Sequence, residues 1–125
     1  MGDQQYEFGL AQTWSFEASV NTTSGVLCYL TGGKVRGTTA VSQHTIGISL
    51  IPASAGKQIS IMMQGIANAL VTGASITAGV LLGPGAGDGA LRARAHSQLN
   101  ESRYDSAIAL ESITTGTRGK VKLLW

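Results

Sequence analysis

The sequence predicts an all-β fold, a small barrel or sandwich built from two degenerate internal repeats and entered by an extended N-terminal arm. Three observations predict it. Glycine supplies 17 of the 125 residues against only two prolines, about twice its usual share of roughly 7%. Charged residues make up 13%, about half the usual level of roughly 25%. The two halves of the chain also run through the same order of strand-like and turn-like segments. Many small and hydroxyl residues with little charge suit closely packed strands and tight turns. They do not suit a solvated helical bundle, and the chain is too apolar for a disordered one. Its length is one domain's worth, enough to bury roughly two-thirds of the unfolded surface.

Residues 1–11 mix Gly, Gln and acids with Tyr6 and Phe8 and read as the arm; residues 12–125 read as one β-domain. Thr13 to Ala18 alternates large apolar with polar residues, the period of a half-buried strand, and puts Trp14 and Phe16 on one face toward the core. Val26 to Thr31, Gly32-Gly33 and Lys34 to Thr38 read as a hairpin, because a Gly-Gly pair supplies the positive φ of a tight turn. Ile46, Ile48 and Leu50 share a face of the next strand. Residues 52–56 turn the chain, and Ile59 and Ile61 share a face of the strand after it. Met62, Ile66 and Leu70 have helical spacing, but the flanking glycines favour a strand or irregular chain. Residues 97–106 hold one helical turn capped by Ser97, or a plain loop.

The second half, about residues 66–125, repeats the order of the first, about 12–65. Ser75 to Leu81 answers Asn21 to Leu27. The run Gly83 to Gly89 stands where Gly32-Gly33 stood and reads as a flexible hairpin tip. Ala107 to Leu110 answers Gly47 to Leu50, and Gly119 to Leu123 answers Gly56 to Ile61. Each half alone offers a few short strands that cannot cover their apolar face. Packed together they are expected to share one core and hide their strand edges.

Charge and motifs narrow the function. The net charge is +2, with the arm acidic through Asp3 and Glu7 and the later cations scattered singly, unlike the clustered cations of a nucleic-acid binder. Residues 58–87 lack charge, but polar residues and glycines interrupt them too often for a membrane span. No signal peptide is expected from the opening residues. Cys28, the single cysteine, lies in an apolar run and reads as a small buried hydrophobe in a reducing compartment.

No catalytic pattern emerges, and the expectation is a protein without enzymatic activity, cofactor or metal. The run at 83–89 lacks the Gly-Lys-Ser/Thr of a phosphate loop. His44 and His96 lie far apart, with no second ligand at metal spacing. There is no Gly-x-Ser-x-Gly elbow, and nothing near Glu101, Asp105 and Glu111 would separate two carboxylate pKa values. Lys57 and Lys120 each follow a glycine, yet lack the context of a carrier-domain lysine. Exposed aromatics on an arm are costly unless they dock, which draws attention to Tyr6 and Phe8.

The paired segments Thr45 to Leu50 with Ala55 to Ile61, and Ala107 to Glu111 with Gly119 to Leu124, resemble the small capsid decoration, or cement, proteins of tailed bacteriophages and prophages. So does Gly73 to Leu81 followed by a glycine-rich hairpin. The resemblance spans about residues 12–125 and lies in a rhythm of strands and glycines. It implies a β-barrel-like domain made in the host bacterial cytoplasm that binds the outside of the mature head. There it bridges subunits of the major capsid protein, often as a homotrimer, with no nucleic-acid or membrane partner. A ligand that binds only the mature lattice stabilises that lattice by mass action. The family's N-terminal segments often touch the capsid, which makes Asp3, Tyr6, Glu7 and Phe8 the expected capsid-binding residues. A head-fibre base or a sugar-binding β-module is the alternative.

Overall fold

The computed structural model describes residues 12–40, 43–85, 89–93 and 106–124. Among them the chain forms β1 Gln12–Glu17, β2 Leu27–Thr31, β3 Lys34–Gly37, β4 Gly47–Ser49, β5 Gln58–Gln64, β6 Ile66–Leu70, β7 Leu81–Pro84, β8 Leu91–Ala93, β9 Ala107–Ala109 and β10 Arg118–Leu123. All ladders between these strands are antiparallel. The expected first hairpin joins β2 to β3, with Gly32 and Gly33 both at positive φ (59° and 81°). That is the backbone of a two-residue hairpin turn whose twist matches its strands. The segment with helical spacing is extended: β5 passes into β6 through Gly65.

The two sheets have the same plan. One has strand order β1-β5-β4-β2-β3 and the other β6-β10-β9-β7-β8, so adding five to each strand number converts the first into the second. The irregular contacts repeat too. Ala18 bridges Val35 and Thr22 bridges Ala53, as Val71 bridges Leu91 and Ile76 bridges Ile113. Gly56 N–H donates to the Ala18 carbonyl, as Gly116 N–H donates to that of Val71. These bonds correct the last match made from sequence. Gly116 (φ 82°), not Gly119, answers Gly56 (φ 84°); Gly119 answers Ile59, and Lys120 lies within β10 rather than in a turn. The shared Gly-Lys doublet concealed a three-residue offset.

Instead of one core there are two apolar clusters. Ala18, Val26, Cys28, Val35, Ile59 and Ile61 form the first. The larger combines the interior of the second half with Leu27 and Ile48. Period two explains the crossing: Val26 and Cys28 face inward, so Leu27 between them faces out of the first sheet, directly opposite Ile48. The second half covers that outer pair. Their counterparts Leu81 and Ile108, also partners across two strands, stay half-buried.

Two expected core assignments change. Trp14 is 63% exposed, although it pairs with buried Ile61, because β1 is the outermost strand of its sheet. Phe16, two residues on, does pack against the first cluster. Leu50 is exposed because β4 ends at Ser49. The glycine-rich run is also anchored at one end. Gly89 N–H donates to the Thr38 carbonyl, and the Gly89 carbonyl accepts from Leu27 N–H. Gly89 thus wedges the second half into the mouth of the first hairpin, and a Cβ there would come within 2.6 Å of the Val26 Cβ.

Candidate functional surfaces

The residues expected to touch the capsid, Asp3, Tyr6, Glu7 and Phe8, lie outside the described residues. So do His96, Glu101 and Asp105. The first described strand places the arm's exit at Gln12, opposite Gln64 and beside the Gly65 junction. Apolar side chains surface at this end of the molecule: Trp14 on β1, Ile66 at the start of β6 and Leu124 just past β10. Sequence alternation marked Trp14 as apolar and inward. What it lacked was the information that β1 ends up at a sheet edge.

Two of the residues tested for chemistry, Cys28 and Glu111, are held in structural roles. Cys28 is buried, and loss of hydration pushes its thiol from near 9.0 up to about 12, only partly opposed by hydrogen bonding with Ser49. A thiol so raised is not a ready nucleophile. Ser49 is itself committed: its hydroxyl donates to the Thr23 carbonyl at 2.7 Å and accepts from Val26 N–H at 3.2 Å. Glu111 accepts from the Lys120 backbone N–H at 2.9 Å. Among the described residues no group of three or more His, Cys, Asp or Glu is placed to hold a metal ion. No helix there is long and apolar enough to cross a membrane.

What remains is surface, and its charge is one-sided. The described residues carry seven cations (Lys34, Arg36, Lys57, Arg92, Arg118, Lys120 and Lys122) against the two carboxylates Glu17 and Glu111, a balance of +5. Glu17 is held by Lys34 at 3.2 Å. The Arg118 guanidinium is hydrogen-bonded across the seam between the halves to the Ser24 carbonyl. It borders a groove of about 410 Å³ shared by Ser49, Leu50, Ile66 and Asn68. A second hollow, of about 270 Å³, is lined by Val20, Asn21, Thr22, Thr23, Arg36 and Thr39. On the other side of Asn21–Thr23 lies a third, bordered by Pro52 and Ser54. These hollows escaped sequence reading because each gathers turns that are distant along the chain.

The fold and these surfaces define a twice-repeated all-β module whose described residues carry a net positive charge. The crystal structure of the N base of the head fibre gp8.5 of bacteriophage phi29 is similar to it, with a TM-score of 0.69 over 91% of this chain and 94% of that one. Sequence identity is 14%, so the likeness is one of fold. No protein family and no curated protein matches the sequence.

Proposed function

We propose that this chain is a structural module of the bacteriophage virion, seated on the exterior of the head and acting by binding rather than catalysis. The observation that carries the reading is the fold shared, almost end to end, with the N base of a phage head fibre. The resemblance of its strand-and-glycine rhythm to capsid decoration proteins points the same way. In this reading the major capsid protein is the partner. The acidic arm, through Asp3, Tyr6, Glu7 and Phe8, supplies one contact and the basic body another. The protein acts as cement, bridging capsid subunits as a homotrimer.

The fold neighbour favours a second reading for the same seat, a base that attaches another virion part without stiffening the shell. Mixing the full chain with purified expanded heads separates the two. Saturable binding at a fixed ratio per capsomer is expected in both, and its absence sinks both. Cement raises the temperature at which heads release their DNA, whereas a base occupies the heads and leaves that temperature unchanged. Deleting residues 2–10 is expected to abolish occupancy while the β-domain stays folded. Full occupancy by that variant removes the arm from the interface.

A further inference from the structure

We infer that the hollow around Arg36 is a receptor for one carboxylate side chain of a protein partner. Arg36 lies on β3 opposite Tyr29 of β2. Its Nε is shielded from solvent and has no hydrogen-bond partner among the described residues. A buried N–H donor left without an acceptor is destabilising and calls for an explanation. The nearest carboxylate in sequence, Glu17, is engaged by Lys34. Arg36 therefore sits half-buried at the wall of a hollow, with no carboxylate partner among the described residues.

The rest of the lining fits such a ligand. Thr22, Thr23, Thr39 and Asn21 bring hydroxyl and amide groups, and Val20 brings an apolar wall for an aliphatic stem. The Thr22 hydroxyl spends its proton on the Val20 carbonyl and has none for a carboxylate, while the Asn21 amide oxygen accepts from Ala55 N–H and leaves its NH2 group to donate. Among the described residues Arg36 is the only charged one in the lining. A planar guanidinium engages a carboxylate through two parallel N–H donors, a geometry that lysine lacks.

Size and setting select the class of ligand. About 270 Å³ falls below the roughly 300–1,000 Å³ of sites that enclose small molecules, but accommodates one Glu or Asp side chain. The adjoining hollow across Asn21–Thr23 lets the backbone carrying that side chain continue over the surface. The net charge of +5 on the described body favours an acidic partner. The carboxylate chemistry stands without the virion reading; that the donor is a head protein rests on it.

The second half supplies a matched control. Arg92 stands opposite Gly83 on β8, as Arg36 stands opposite Tyr29, but it is exposed and lies outside this hollow. The test is NMR titration of the full chain, observing the arginine Nε–H and backbone amide resonances, with the tripeptides Gly-Glu-Gly and Gly-Gln-Gly, both N-acetylated and C-amidated so that the Glu side chain is the only carboxylate, and with glucuronate. A saturable shift of Arg36 is expected with Gly-Glu-Gly and not with Gly-Gln-Gly. Read from the backbone amides of Gly37 and Thr39, which also line the hollow, binding should weaken about tenfold in Arg36→Lys and persist in Arg92→Lys. Equal response to both tripeptides, or none at all, overturns the proposal. Saturation by glucuronate alone overturns it in favour of an acidic sugar. A titration that succeeds while heads fail to bind the protein leaves the receptor standing and refutes only the virion reading.

Discussion

The two halves solve one topology with different letters, and the clearest difference is a trade of volume. In the first half Ala53 packs toward the cluster that holds Ile59. At the matching positions the second half has Ile113 and Gly119, and a Cβ on Gly119 would run into the Ile113 side chain. Large and small have changed places across the same contact. A core specifies the sum of volumes at a contact more tightly than the identity of either residue. This explains how two sheets can share every ladder with so little sequence in common.

The largest effect is expected where the halves stop being equivalent, at the two hairpin tips. Gly33 and Gly89 both have positive φ, but a side chain on Gly33 meets open space, while one on Gly89 meets Val26 and the Leu27 carbonyl. Gly33→Ala should cost about 1 kcal/mol, the strain of a left-handed backbone alone. Gly89→Ala should cost about 2–4 kcal/mol, the same strain plus overpacking. Urea unfolding reads both, and equal costs would show that Gly89 is not a wedge.

The volume trade comes next. Ile113→Ala alone should destabilise by about 2–4 kcal/mol, and Gly119→Ile alone by about 1–3 kcal/mol. Combining them recreates the pattern of the first half. The double-mutant cycle should return a favourable coupling of about 1–3 kcal/mol, and strict additivity would break the equivalence of the two contacts.

The smallest effect near neutral pH concerns Cys28. Its folded pKa of about 12 lies above the ordinary value near 9.0. The folded state therefore holds the proton more tightly, and that contribution is complete below pH 9. Stability should fall between about pH 9 and 12, by up to about 1.4 kcal/mol per pH unit. Cys28→Ala should flatten that slope, and the native thiol should resist Ellman's reagent at pH 8. Rapid labelling of the folded protein would contradict its burial.

Much of the fold was legible in the residues. Alternation found β1 and β5, Gly32-Gly33 found the hairpin, and the parallel order of segments anticipated two sheets of one plan. The misses have physical causes. Alternation reveals which face is apolar, not whether a strand ends at a sheet edge, and so Trp14 was assigned to the core. That the second half covers the side of β2 and β4 carrying Leu27 and Ile48 is shown by no local pattern in the sequence. The glycine run read as free because wedging depends on a distant partner, Thr38. The candidate receptor was the least legible. Arg36 is an unremarkable strand residue until three turns close around it.

Gly89 also bears on the order in which the molecule comes into being. Leu27 N–H and the Thr38 carbonyl, which would bond each other at the mouth of an ordinary hairpin, are instead joined through Gly89. During synthesis the hairpin that ends at Thr38 leaves the ribosome some fifty residues ahead of that glycine. Until it arrives, those two backbone groups have only each other or water as partners, and the mouth of the hairpin cannot take its final, wedged-open form. The first half thus remains an unfinished fold, and the later half completes it as a keystone completes an arch.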